Sequence, residues 1–472
     1  MQIENFGFYF YVVSMPALVF LGVVLGFWTQ PYSFIPACFC FIIFYFSTVI
    51  RAIKNYGLFS LYAIYLYTSF FFIYSRLFFS LFGIIDFLYV DFPGHYYFSE
   101  KTGIVFIIGS FISFYLLDIF YCIKRYEYEK KVATFYTTHL IYSSSIERLG
   151  ICLMLLSFLP ISYKLYLEFQ VIKDVGYVAM YTGALDNLVY PVWTRGSGTI
   201  FYVGFLLLIM SYPRKSLYIF GSLFFTLFRI FDALKGGRGA LIVSILAIIF
   251  FYQQFYGVRI NFKKFFLLAL LLSLFASFTG TYRTTKNTQG TLSFKQLGNF
   301  FINQSISVGS PLAVIEFRDE QEEFRQYPYI FSVLMAPYYN LVSPETARTP
   351  SIERLYTRNE MESISTYIYS EETYLAGFGI GASFLGEMFD CFGFGGISFW
   401  SFMLGYLLLL VDKMKYKSRF YIPFVWFVVC SVIFLPRGHF FDFIYSGYFY
   451  FILIEFLCFL ISFLCFPKKI FI

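Results

Sequence analysis

Charged side chains are scarce in this sequence. Asp, Glu, Lys and Arg make up 13% of its 472 residues, whereas hydrophobic residues make up 59% and the mean hydropathy is +0.69. In water-soluble globular chains about a quarter of the residues are charged. The composition therefore excludes an ordinary soluble enzyme and predicts an integral membrane protein that crosses the bilayer several times.

Residues that bind metals or nucleotides are also few. The three histidines lie far apart, and no pair among the eight cysteines has the C-x-x-C spacing of a metal site. Most cysteines fall singly inside apolar stretches, where they serve as small hydrophobic residues. Neither a phosphate-binding P-loop nor a dinucleotide-binding fingerprint occurs. We therefore expect no metal and no cofactor, and the sequence argues against a nucleotide-driven pump.

Long hydrophobic runs are abundant, and 25% of the residues are aromatic. A helix needs about 20 mostly apolar residues to cross the bilayer, and about twelve stretches meet that criterion. They lie near 6–28, 33–50, 58–85, 102–123, 149–168, 199–212, 216–231, 239–256, 265–281, 383–411, 420–435 and 441–466. The sequence thus predicts an all-α polytopic membrane protein of about twelve transmembrane helices on that criterion, whose packing surfaces are built largely from aromatic rings.

Lys and Arg are unequally divided between alternate loops, and loops rich in these residues stay in the cytoplasm. The basic loops lie near 51–54, 124–148, 214–215, 259–264, 413–419 and 468–469. This pattern predicts cytoplasmic termini and extracytoplasmic segments at 86–101, 169–198, 232–238, 282–382 and 436–440. The net charge of +7 follows from the basic loops, which also attract anionic lipid headgroups. It therefore indicates membrane lipids, and no nucleic acid, as partners.

One segment is far longer than the other loops. Residues 282–382 form a polar insertion between the ninth and tenth predicted spans. The insertion divides the chain into 1–281 with nine spans, the loop itself, and 383–472 with three. Its section Tyr327–Tyr339 is rich in aromatic residues, which a free linker would leave exposed. We therefore expect a large extracytoplasmic loop that packs against the spans as a roof.

The most specific motif is GFGIGASFLGE over residues 377–387, which is followed by FGFGG over 392–396. Gly379 and Gly381 permit backbone conformations closed to other residues and leave their amides free to approach a ligand. This favours a ligand-facing turn in the first run, with close helix packing as the alternative. For the second run, we expect helix packing.

With these motifs, the chain resembles the O-antigen polysaccharide polymerase (Wzy-type) family, whose members carry similar G-x-G-I-G-x-S-x-x-x-E and F-G-x-x-G runs. The resemblance extends to the many spans, the single long late loop and the glycine-flanked arginine of GGRG over 236–239. It implies a membrane glycosyltransferase that polymerises undecaprenyl-diphosphate-linked oligosaccharide repeat units into O-antigen or a related surface polysaccharide. The reaction would occur at the periplasmic face of the bacterial inner membrane, and the resemblance also implies a chain-length regulator as partner.

Four arginines in the predicted extracytoplasmic loops lie close to spans. They are Arg195, Arg238, Arg283 and Arg437. A guanidinium group stays charged when it is partly desolvated, and its fork matches phosphate oxygens, which an ammonium group does not. Arg238 also begins a predicted span, whose helix N-terminus favours the same anion. A single arginine at a span end is an interfacial anchor, but together these residues predict a binding site for the diphosphate of the carrier lipid.

Two residues are candidates for the catalytic base. His439 follows Arg437 closely, and Asp442 lies three residues further on, where it would orient the imidazole and raise its basicity. The alternative for His439 is a hydrogen-bonding residue at the membrane interface. Glu387 is predicted one turn inside a span, where an unpaired carboxylate costs about 2.5–3.5 kcal/mol. It therefore needs a partner, such as one of the arginines, or a role in catalysis.

Other functions fit parts of this pattern. A lipid-linked oligosaccharide flippase would share the number of spans and the arginines, but it needs neither a long loop nor a base at one face. An O-antigen ligase would use nearly the same chemistry with a different acceptor. A transporter or a scaffold predicts that Arg238, Arg283 and Arg437 tolerate lysine.

Overall fold

A computed structural model of the protein describes residues 2–28, 33–90, 95–132, 144–175, 185, 188–235, 238–258, 261, 263–264, 267, 270–271, 274, 302–347, 349–414 and 419–465. The chain divides into two compact units. The first unit comprises Met1–Phe135, Thr291–Leu409 and Phe434–His439. The second unit comprises Tyr136–Gly290, Leu410–Ile433 and Phe440–Ile472.

Helices account for most of the described residues, and eight helices in this part of the chain are long and apolar enough to cross a membrane. These candidate spans are Tyr11–Trp28, Ile35–Tyr56, Glu100–Ile123, Ser144–Asp174, Val192–Met210, Lys215–Leu234, Gly239–Tyr256 and Phe394–Asp412. Shorter apolar helices occur at Ile422–Arg437 and Asp442–Ile454. The predicted all-α polytopic membrane protein is confirmed. The total of twelve spans stays a prediction, and the predicted span 265–281 lies mostly outside the described residues.

The first unit begins with five helices. They are α1 (Gln2–Trp28), α2 (Ile35–Tyr56), α3 (Leu61–Ser69), α4 (Ser75–Ser80) and α5 (Glu100–Val132). A π-helical turn, Phe70–Tyr74, joins α3 to α4, so the long predicted span 58–85 is an interrupted helix. A two-stranded antiparallel sheet of β1 (Tyr89–Val90) and β2 (Tyr96–Tyr97) precedes α5. The buried Arg76 on α4 donates a hydrogen bond to the carbonyl oxygen of Tyr89.

Aromatic rings fill the space between these helices, as the composition predicts. The ring centroid of Tyr45 on α2 lies 5.1 Å from that of Tyr74 and 5.4 Å from that of Phe114 on α5. All three side chains are buried. Aromatic pairs at such distances contribute about 0.5–1.5 kcal/mol each beyond the burial of their surface.

Four helices of the second unit come next in the chain. They are α6 (Ser144–Val175), α7 (Ser197–Met210), α8 (Lys215–Lys235) and α9 (Arg238–Tyr256). Helices α6 and α7 approach each other through facing glycines. A Cβ atom on Gly204 would lie 2.8 Å from the carbonyl oxygen of Gly150. Only glycine allows this approach, as is usual where membrane helices pack closely.

The described part of the predicted loop contains six short α-helices, all in the first unit. They are α10 (Gly309–Glu316), α11 (Arg318–Glu322), α12 (Ser332–Val342), α13 (Ile352–Arg358), α14 (Met361–Tyr369) and α15 (Glu371–Leu375). A hydrophobic cluster is formed by Val314, Phe324, Tyr329, Leu355, Met361, Ile364, Tyr374 and Ala382. Glu316 accepts hydrogen bonds from the hydroxyl groups of Ser99, at 2.8 Å, and Thr102 at the start of α5. This part of the loop therefore packs against a candidate span, and its role as a roof stays a prediction.

The predicted span 383–411 consists of two helices, α16 (Phe384–Phe392) and α17 (Phe394–Met414). Gly393 separates them with a φ of 60°, in the left-handed region that favours glycine. Glu387 therefore lies on the short helix before the candidate span, and not one turn inside the span as the sequence predicted. Hydropathy misses this break because the residues on both sides of Gly393 are phenylalanines.

The loop holds α16 through Asp390, which lies one turn after Glu387. The Asp390 carboxylate accepts a hydrogen bond of 2.9 Å from the backbone N–H of Tyr329, and it forms an ion pair with Arg325. Beyond α17 follow α18 (Ile422–Phe434), a 3-10 turn at Leu435–Arg437, and α19 (Asp442–Cys465).

Candidate active site

His439 lies just after the 3-10 turn Leu435–Arg437, between α18 and α19. Its ring nitrogen Nδ1 is 2.5 Å from Oε1 of Glu387 on α16. The Glu387 side chain is 0% exposed, and the His439 side chain is 14% exposed. A buried carboxylate requires a hydrogen-bonding partner, and His439 supplies one.

A second carboxylate contacts the other side of the imidazole ring. Oε1 of Glu362, in the first turn of α14, is 3.4 Å from Nε2 of His439, and the Glu362 side chain is 27% exposed. The neighbouring Glu360 is fixed by Arg354 on α13, whose guanidinium donates three hydrogen bonds of 2.9 to 3.2 Å to its carboxylate. Both ring nitrogens of His439 therefore face carboxylates.

These contacts shift the pKa values of His439 and Glu362. Burial lowers the pKa of His439, but the negative charges of Glu362 and Glu387 outweigh burial and raise this pKa well above its ordinary value of 6.5. Burial raises the pKa of Glu362, but the positive charge of His439 outweighs burial, so the pKa of this carboxyl is lowered. At neutral pH the resting site therefore holds an imidazolium beside an ionised Glu362.

The guanidinium group of Arg437 lies against the glycine motif. Gly381 has a φ of +83°, and a Cβ atom there would lie 3.1 Å from Nε and 3.4 Å from Cγ of Arg437. Nη1 of Arg437 donates a hydrogen bond of 3.2 Å to the side-chain oxygen of Gln304. The glycine thus serves two needs at once, because it permits the left-handed backbone and leaves room for the arginine.

The whole chain was compared with known proteins. The model of the O-antigen polysaccharide polymerase Wzy family matches residues 8–469, nearly its full length. The chain belongs to the Wzy family. Searches of the curated proteins and of the solved structures found no match. The resemblance drawn from the glycine motifs is confirmed, and with it the prediction that this multi-pass membrane protein polymerises O-antigen from lipid-linked repeat units.

The structure brings together four of the residues that the sequence of this Wzy chain nominated. Glu387 contacts His439, and Gly381 lies against Arg437, two residues before that histidine. Gly379 belongs to the same turn, where the N–H of Ile380 donates a hydrogen bond of 3.3 Å to Oγ1 of Thr366 on α14. Their roles in binding and catalysis stay predictions.

The other nominated arginines of the Wzy chain lie in other segments of the chain. Arg195 is exposed and precedes α7, and Arg238 is the first residue of α9, both in the second unit. Arg283 lies outside the described residues. The convergence of all four arginines on one diphosphate therefore stays a prediction. In the described part of the chain, no group of three or more His, Cys, Asp or Glu side chains is arranged to hold a metal ion.

Sequence reasoning missed Glu362 and Gln304. Glu362 is one of many acidic residues in the long loop, and no motif distinguishes it from its neighbours. Its place beside His439 depends on the tertiary packing of α14, which no local pattern encodes. The role of Asp442 in orienting His439 stays a prediction, and the structure adds the carboxylates of Glu362 and Glu387 at the two ring nitrogens.

Proposed function

We propose that this polymerase transfers a growing glycan from undecaprenyl diphosphate to the repeat unit of a second lipid-linked molecule. The acceptor sugar hydroxyl attacks the anomeric carbon of the donor, and the bond between that carbon and the diphosphate oxygen breaks. The electron pair of that bond leaves with the diphosphate, and Nε2 of His439 takes the hydroxyl proton. No other energy source is required, because the sugar–diphosphate bond is already activated.

The observation that carries this proposal is the contact of 2.5 Å between Nδ1 of His439 and the buried Glu387, close to Arg437. A carboxylate that accepts the Nδ1–H bond fixes the orientation of an imidazole and strengthens Nε2 as a base, as in the triads of acyl-transfer enzymes. The base form requires the loss of the Nε2 proton, so we expect activity to rise with pH until His439 is deprotonated.

Arg437, together with Arg195, Arg238 and Arg283, would bind the diphosphate. Charge builds up on the bridging oxygen as the bond breaks, and a fixed guanidinium group opposite that oxygen contributes a few kcal/mol to the transition state, on the order of 3 kcal/mol per donor. We assign this chemistry to the periplasmic face of the bacterial inner membrane, with both termini cytoplasmic. A chain-length regulator is the partner that the family implies.

The first test replaces Arg437 by lysine. R437K keeps the positive charge but loses the bidentate fork, so we expect polymerisation to fall by about tenfold or more. The rate would be measured as polymer formed from undecaprenyl-diphosphate-linked repeat units by purified protein in liposomes. The substitution H439Q, which removes the proposed base, is measured in the same assay. Its control is H95Q, at an exposed histidine in a separate loop of the first unit. Full activity of R437K together with full activity of H439Q would overturn the proposed site.

A further inference from the structure

Glu362 is the more exposed of the two carboxylates, Glu362 and Glu387, that contact the imidazole of His439. The Glu387 side chain is fully buried behind the ring, whereas a quarter of the Glu362 side chain is exposed. Oε1 of Glu362 contacts Nε2 of His439, and its Oε2 is buried and accepts no hydrogen bond from another described residue. Of the two carboxylates that contact the ring, that of Glu362 therefore belongs to the more accessible side chain.

An ionised carboxylate with an unused oxygen is a strong acceptor for hydroxyl groups. A sugar carries hydroxyl groups on adjacent carbons, so one of them can donate to the Glu362 carboxylate while its neighbour lies at Nε2. We propose that Glu362 and His439 together form the subsite for the acceptor sugar, in which two neighbouring hydroxyl groups are bound and one of them is the nucleophile. This inference rests on the proposed function, because it assumes that His439 is the base.

The subsite also explains why Glu362 lies so close to the histidine before substrate binds. The charged groups that act on the imidazole are Glu362 on α14 and Glu387 on α16, while Arg354 acts on Glu362. In the resting site Glu362 occupies the position of the acceptor hydroxyl and keeps Nε2 protonated. The acceptor releases Nε2 by taking over the contact with the carboxylate.

The substitution E362Q tests this subsite. Glutamine keeps the size of the side chain but removes its charge, so we expect the KM for the single-repeat acceptor to rise about tenfold or more. The pKa of His439 should fall because one negative charge is lost, so the acid limb of the pH–rate profile should move to lower pH. Rates would be measured with saturating polymer-loaded carrier lipid as donor and a varied single-repeat acceptor.

The matched control is E372Q, because Glu372 is exposed in the first turn of the nearby α15. We expect it to change neither the KM nor the pH profile. The chain has three histidines, so the titration of His439 can also be followed by ¹⁵N NMR, independently of activity. A wild-type KM and an unshifted His439 titration in E362Q would overturn the subsite. If H439Q were also fully active, the proposed base itself would fail.

A separate observation concerns helix α12 in the loop. The segment Ser332–Val342 contains no charged residue, and several of its apolar side chains point outward, with Leu341 84% exposed and Tyr338 54% exposed. The C-terminal end of α12 is attached to α13, because the buried Arg358 on α13 donates hydrogen bonds to the side chain of Asn340, at 2.6 Å, and to the carbonyl oxygen of Ser343, at 3.0 Å.

The apolar face of α12 continues onto a candidate span. The ring of Phe331, just before α12, lies 6.2 Å from that of Trp400 on α17. On α17 the neighbouring Phe399, Phe402 and Met403 are exposed, as expected of side chains that face lipid. We infer that α12 lies on the outer surface of the bilayer, with its apolar face among the lipid headgroups and upper acyl chains.

Photo-crosslinking tests this placement. A diazirine amino acid would replace Leu341 in protein embedded in nanodiscs of phosphatidylethanolamine and phosphatidylglycerol, and a second variant would carry it at the exposed Glu353 of α13. We expect lipid adducts from position 341 and at least fivefold fewer from position 353, on the order of the contrast between buried and solvated interfacial positions. Adducts of position 341 with a second protein chain, or with water alone, would overturn the inference.

Discussion

Gly381 and Arg437 show how a single residue can shape the candidate site. The glycine adopts a φ of +83°, and its missing side chain leaves the space in which the guanidinium group of Arg437 lies. Any larger residue must strain the backbone and displace the arginine. The glycine of the motif therefore positions a charge on another segment of the chain, although the sequence suggested that its amide would contact the ligand itself.

We expect G381A to lower polymerisation by about tenfold or more, because the left-handed backbone costs alanine on the order of 1–2 kcal/mol and its Cβ crowds Nε of Arg437. The rate would be measured in liposomes at matched protein levels. The control is G395A on α17, where a Cβ would meet no atom within 4 Å. Equal activity of G381A and G395A would show that the position of Arg437 does not matter.

At the scale of helices, hydropathy predicted the spans well where each is one uninterrupted helix. The predicted 239–256 is found as α9, Arg238–Tyr256, and the predicted 33–50 overlaps most of α2, Ile35–Tyr56. Hydropathy did not predict the interruptions at the π-helical turn Phe70–Tyr74 and at Gly393, because both lie within continuous apolar sequence. The candidate site, likewise, could be predicted only in part from the sequence. His439, Glu387 and Arg437 could be nominated by residue type, whereas Glu362 is brought to them only by the packing of the loop.

The contact between α6 and α7 gives a prediction for the second unit. We expect G204A to lower the free energy of unfolding by about 1–3 kcal/mol, because its Cβ would lie 2.8 Å from the carbonyl oxygen of Gly150 and force the helices apart. The change would appear as a lower midpoint of thermal unfolding in detergent. In the control, G198A on the same helix, the nearest atom to the new Cβ is 3.5 Å away, so stability should be preserved.

At the scale of the whole molecule, the family assignment makes a prediction for the cell. Deletion of the gene should leave lipopolysaccharide that carries one repeat unit, because single units are still exported and attached but no longer joined. The ladder of chain lengths on a gel would report this result, and expression of the intact gene should restore the ladder. Loss of every repeat unit would point instead to a ligase, and lipid-linked units trapped in the cytoplasm would point to a flippase.

The short helix α16 contacts both the long loop and the proposed catalytic histidine. Asp390 on this helix accepts a hydrogen bond from the backbone N–H of Tyr329 and forms an ion pair with Arg325, both in the loop. Glu387, one turn earlier, contacts the imidazole of His439. A displacement of α16 that drew Glu387 away from the ring would lower the pKa of His439, because one negative charge would be lost. The strength of the proposed base therefore depends on the position of α16, which Tyr329 and Arg325 of the loop hold through Asp390.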